Sequence, residues 1–273
     1  MHLVRLAVVA CCVCFSGCAN AIVRPAVSPS KPASDALLVL PGFGYSRAGE
    51  HALRSLGPSL AAEGIDLYVP TYVARSGLEQ SRERLHRFLR EHRLDRYERV
   101  HIFAFLAGGW TFNPLGETRI LQNLASVVYD RSPYQERAPR VALEKLRFLT
   151  WLKYGPVVFD LARTPYVPLS GPGVKVGLLV ETSPTSFIKR FAAAARGYGA
   201  YDFECDAFGQ RYDDCFYVAL SHDELYVRFA EVWPEVRSFI HTGQFSATAN
   251  RTAPAGDAAT LDGPPSGRRE KSR

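Results

Sequence analysis

Residues 101–110 read HIFAFLAGGW: an apolar, strand-like run into Ala104-Phe105-Leu106-Ala107, then paired glycines at Gly108 and Gly109. Val100 to Phe105 has the β-branched and aromatic content of a buried strand, and the glycines permit a tight turn into the helix that follows. A strand that breaks sharply into a helix puts one side chain at the tip of the turn. Small residues must flank that tip, because strand and helix pass close together there, and Ala104, Gly108 and Gly109 meet the need. The tip falls on Leu106. Shifting the frame reaches only Phe105 or Ala107, neither of which has a nucleophilic atom, and Thr111 lies inside the following helix.

Units of the same kind lie on both sides of this stretch. Ala36-Leu-Leu-Val-Leu40 is a continuous apolar run stopped by Pro41-Gly42, as expected of a strand buried on both faces. A helix is predicted over residues 48–63, a strand over 65–69, and a helix over 81–92 with Leu85, Phe88 and Leu89 at helical spacing. After the 100–105 strand come a helix over 108–124, strands at 127–129, 174–180 and 216–220, and a closing amphipathic helix over 225–240. Strand–helix alternation predicts an α/β fold, a mostly parallel sheet with helices on both faces. On such sheets chemistry gathers in the loops at the carboxyl ends of the strands.

Three of those loops resemble one family. Leu38-Val-Leu-Pro-Gly-Phe-Gly44 is similar to the first strand and oxyanion loop of the α/β-hydrolase superfamily, in particular its bacterial lipases and esterases, with Pro41 where a His is usual. Ala104-Phe-Leu-Ala-Gly-Gly109 matches the nucleophile elbow, whose usual form is G-x-S-x-G. Ser221-His222-Asp223-Glu224 follows the last strand, where that family carries its catalytic His. The resemblance implies the α/β-hydrolase fold, oxyanion N–H groups near Phe43 and at Ala107, and His222 at the general-base position. It implies Asp202 as the acid partner, about twenty residues before His222, with Asp206, Asp213 and Asp214 as alternatives. The elbow is expected to be strained.

Leucine neither forms an acyl-enzyme nor passes a proton, so ordinary ester hydrolysis through residue 106 is excluded. Losing the serine of a comparable triad costs roughly 2 × 10⁶ in turnover. Three functions stay open on the residues alone: a non-catalytic protein binding an apolar or acyl ligand or a partner, a hydrolase using Ser46 or Ser132 instead, and a structural or assembly protein of the cell envelope. The apolar stretch across residues 139–168 resembles the cap over lipase sites and predicts a pocket.

The ends of the chain set its address. Residues 1–18 have Arg5, an apolar run from Leu6 to Phe15, and Ser16-Gly17-Cys18, the pattern of a secretory signal. That last triplet resembles a bacterial lipobox, implying lipidation at Cys18. Ala19 after it implies sorting to the outer membrane, facing the periplasm. Residues 19–34 read as a Pro/Ser/Ala-rich tether, 35–245 as the folded domain, and 246–273 as a disordered basic tail. Cys205 and Cys215, ten positions apart in an exported protein, predict one disulfide. The net charge of +6 lacks the Arg/aromatic interleaving of nucleic-acid binders. Neither a dinucleotide nor a phosphate-loop motif is complete, and no Cys/His spacing suits zinc, so no cofactor or metal is expected.

Overall fold

The computed structural model describes residues 22–24, 33–116 and 121–254. The signal segment, Cys18, Ala19, most of the tether and residues 255–273 lie outside the described residues.

Seven strands form one sheet in the order β1-β3-β2-β4-β5-β6-β7. They are β1 (Ile22–Arg24), β2 (Asp35–Leu40), β3 (Ile65–Val69), β4 (Arg99–Ala104), β5 (Leu124–Arg131), β6 (Lys175–Glu181) and β7 (Asp214–Val218). All neighbours are parallel except β1, which pairs antiparallel with β3. The expected α/β architecture is present, with one correction at each end. Part of the 19–34 tether is strand β1. Residues 246–254 pack onto the domain instead of starting a disordered tail: Arg251 pairs with Asp214 at 2.8 Å, and the Tyr217 N–H donates to the Asn250 carbonyl at 2.8 Å.

Alternation along each strand divides the core. Leu38, Leu40, Ile102, Ala104 and Val127 face one apolar layer, while Leu37, Val39, Phe103 and Val128 face the other. Helices cover both faces, so the strands are apolar throughout. The helices are α1 (Arg47–Ser55), α2 (Gly57–Ala62), α3 (Leu78–Glu91), α4 (Leu106–Gly116), α5 (Pro133–Tyr154), α6 (Val157–Arg163), α7 (Ser186–Arg190), α8 (Ala192–Arg196), α9 (His222–Val227) and α10 (Phe229–Thr242).

Several boundaries differ from the periodicity. The 48–63 helix is two, α1 and α2, because Gly57-Pro58 starts a new one. The 108–124 helix starts two residues early, at Leu106, and residues 121–123 lie outside it. Leu124 already belongs to β5, which runs two residues past Tyr129 to Arg131. The closing helix breaks at Arg228 into α9 and α10. No helix among the described residues is long and apolar enough to cross a membrane.

Candidate functional site

The turn between β4 and α4 is as tight as its composition demands. A Cβ on Gly108 would lie 2.8 Å from both the Cβ and the carbonyl oxygen of Leu40 and 3.3 Å from the Cβ of Ala104. No larger residue fits there without moving the β2 backbone. Leu106 is the first residue of α4 and is 8% exposed. The expected strain is absent: Arg93 is the one non-glycine with positive φ among the described residues, so Leu106 holds an ordinary backbone conformation.

Leu106 lies on the floor of an open cleft of about 440 Å³. The floor is Gly42, Phe43, Gly44, Leu106, Ala107, His222 and Asp223. The opposite wall is mostly apolar, with Pro139, Ala142, Leu146 and Leu149 from α5 and Val158 and Leu161 from α6. Gly42 brings the loop after β2 against the start of α4, since its Cβ would sit 3.7 Å from the Ala107 nitrogen. Neither the Phe43 nor the Ala107 N–H donates to an acceptor among the described residues, and both residues line the cleft.

His222 opens α9 behind Ser221, whose N–H and hydroxyl both donate to the Glu224 carboxylate at 2.9 and 2.7 Å. This capping pair fixes where the helix starts and so aims the His222 ring inward. Its Nδ1 lies 2.9 Å from Asp130 Oδ2 and 3.4 Å from Glu181 Oε1. These are close ionic contacts, not aligned hydrogen bonds, since none of the three atoms has a hydrogen-bond partner. Both carboxylates come from the ends of adjacent strands. Asp130 pairs in register with Leu179, and Glu181 is two residues farther along the same face.

Asp202, expected beside His222, is exposed, and its carboxylate accepts the Glu204 N–H at 2.9 Å. Asp206 is exposed. Asp213 holds Lys175 and the Val176 N–H, and Asp214 holds Arg251 and the Phe245 N–H. Asp130 and Glu181 were not among the residues singled out from sequence. Their signal was strand alternation: Val128 and Leu179 face the α10 layer, so the polar residues two positions on fall at the carboxyl end of that same face.

The cluster is almost completely sealed, with its three side chains 4% exposed or less. Burial pushes the Glu181 carboxyl well above its ordinary range, and the neighbouring Asp130 charge adds to this. Burial alone would pull His222 down, but the charges of Glu181 and Asp130 outweigh it and hold the imidazole well above its ordinary value. The same three groups, with donor atoms within 4.8 Å of one another, have the composition of a cation site.

Ser46 caps α1 and Ser132 precedes α5, and neither lines the cleft. Ser132 is buried with its hydroxyl unpartnered. Cys205 and Cys215 are joined by a disulfide that ties the segment before β7 to that strand.

No protein-family model matches the chain, and no curated protein matches it in sequence. Among solved structures it is similar to the mature form of lipase BlEst2 from Bacillus licheniformis, at 13% identity and a TM-score of 0.55, over 83% of this chain and 98% of that one. The propeptide form of the same lipase gives 15% identity and a TM-score of 0.55, over 86% of this chain and 55% of that one. At such identities the likeness establishes the fold, which is the α/β-hydrolase fold.

Proposed function

We propose that this protein binds an apolar, acyl-bearing ligand in the cleft and does not hydrolyse it. One observation carries the reading: the side chain on the cleft floor beside the free Ala107 N–H and His222 is Leu106. The surrounding parts suit binding. The walls from α5 and α6 are apolar, and the Phe43 and Ala107 N–H groups offer donors for a carbonyl or carboxylate oxygen. His222, whose proton affinity the neighbouring carboxylates raise, lies at the same end. A hydrolase needs a nucleophile beside its base, and residue 106 offers none.

We further propose that the chain is exported and held at the outer membrane, facing the periplasm, through a lipid on Cys18. Ser16-Gly17-Cys18 behind the apolar run 6–15 supports this. Metabolic labelling with a radioactive fatty acid tests it, and label that persists in Cys18→Ala sinks it.

The cleft is tested by titrating the protein with a fluorescent fatty acid and by native mass spectrometry for lipid that copurifies. Saturable binding of one ligand, lost in Leu106→Trp, is expected. Stoichiometric labelling of one serine by a fluorophosphonate probe, lost in His222→Ala, would overturn the reading in favour of a rearranged hydrolase. An envelope scaffold is the weaker alternative, because the cleft is open where a scaffold needs only its exterior.

A further inference from the structure

Of the six large apolar side chains exposed among the described residues, four fall on one short segment beside the mouth of the cleft. α5 kinks at Leu146, where φ is −137° and ψ is 33°, and a two-turn piece follows it. On this piece Phe148, Leu149, Trp151 and Leu152 are 69, 54, 47 and 55% exposed. Thr150 points inward, its hydroxyl donating to the Ala142 carbonyl at 3.3 Å. At about 100° per residue, the four apolar side chains span an outward arc of about 160°. Arg147 stands on one shoulder of that arc and Lys153 on the other. The amphipathicity is therefore inverted, with the apolar face turned to water, which marks an interaction surface.

The charges around the arc select its partner. No acidic residue occurs from Lys145 to Tyr154. Glu144, just before, is engaged by Lys145 at 2.6 Å. Arg147 lies over the Phe159 ring and Lys153 over the Tyr154 ring, so both cations keep aromatic and not carboxylate company. A third cation is fixed at the end of the helix. The Arg75 guanidinium donates to the carbonyls of Lys153 and Leu152 at 2.5 and 2.7 Å. Tryptophan, phenylalanine and leucine flanked by Arg and Lys compose a segment that lies in a bilayer interface, with rings among the acyl chains and cations at anionic headgroups.

We propose that this face docks peripherally on an anionic phospholipid bilayer, through Phe148, Trp151 and Leu152 with Arg75, Arg147 and Lys153 around them. Leu149 and Lys153 also line the cleft, so docking sets the cleft mouth against the lipid surface. The inference goes beyond the acyl-binding reading and does not require it.

The test uses the full chain and vesicles of phosphatidylcholine with or without phosphatidylglycerol. Because an N-terminal apolar run binds lipid by itself, the readout is the share of emission that belongs to Trp151, the wild-type signal minus that of Trp151→Phe. On anionic vesicles this share is expected to shift blue and to be quenched by brominated acyl chains, less so as salt is raised. The double variant F148S/L152S, altered only at exposed positions, is expected to need roughly tenfold or more lipid for the same signal. Three results overturn the proposal: Trp151 unquenched on protein that sediments with the vesicles, an equal response on neutral vesicles, or a wild-type dimer that F148S/L152S disperses. Fatty-acid titration of F148S/L152S without vesicles separates the two readings, since neither residue lines the cleft.

Discussion

The Tyr226 hydroxyl oxygen accepts the backbone N–H of Gly42 at 2.7 Å, across 184 positions of sequence. This bond joins α9, which carries His222, to the loop that carries Phe43. The Tyr226 ring stacks on Phe105 with centroids 4.2 Å apart and 17° between planes, so the bond is held from both sides. Tyr226→Phe keeps the stacking and leaves a buried N–H without an acceptor, at a cost of about 1–3 kcal/mol. Urea denaturation measures it. A midpoint unchanged from wild type would mean that the loop finds another acceptor.

Restoring a hydroxyl at the elbow is not expected to restore hydrolysis. Leu106→Ser supplies an oxygen on a backbone without positive φ, and the His222 Nδ1 faces Asp130 and Glu181. The rate on a p-nitrophenyl ester is expected to stay within roughly tenfold of wild type, against the several orders of magnitude that an activated serine supplies. A burst of p-nitrophenol with acyl-enzyme detected by mass would show His222 acting as a base.

The buried cluster predicts how stability depends on pH. Glu181 and His222 both bind protons more tightly folded than unfolded, relative to ordinary values of 4.5 and 6.5. Their contribution is complete below those values and is lost as pH rises through the raised ones. Between the two ordinary values only Glu181 changes. There the stability of wild type is expected to fall with pH more steeply than that of Glu181→Gln, by up to about 1.4 kcal/mol per pH unit. Parallel slopes for the two proteins would place the proton elsewhere.

The disulfide closes a short loop ahead of β7, and its chief effect is to restrict the unfolded chain. Replacing Cys205 and Cys215 by serine is expected to lower stability by about 2–4 kcal/mol in denaturant titrations under oxidising conditions. The same titration of wild type with a reductant should give the same loss. If reduction changes nothing, the two thiols are free in solution.

Much of this molecule was legible in the order of its residues. Runs such as Ala36–Leu40 announce strands covered on both faces, and Ala104, Gly108 and Gly109 announce a turn too tight for larger side chains. That residue 106 lacks a nucleophile is a fact of chemical identity, readable without any fold. His222 was legible because it directly follows a strand.

The acid partner was not. Asp202 is near His222 in the chain but exposed, whereas Asp130 and Glu181 are 92 and 41 positions away and in contact with it. Sequence distance says nothing about which strands are neighbours. Parallel pairing of β5 with β6, and of β6 with β7, brings their carboxyl ends to one place. The raised proton affinity of His222 is likewise a product of the fold, since it depends on two carboxylates brought beside it. Local composition determined the strands, the turn and the leucine at its tip, because those depend on neighbours along the chain. Only the tertiary structure decided which acids meet the histidine and that its proton is held more tightly, because burial and Coulomb forces act through space.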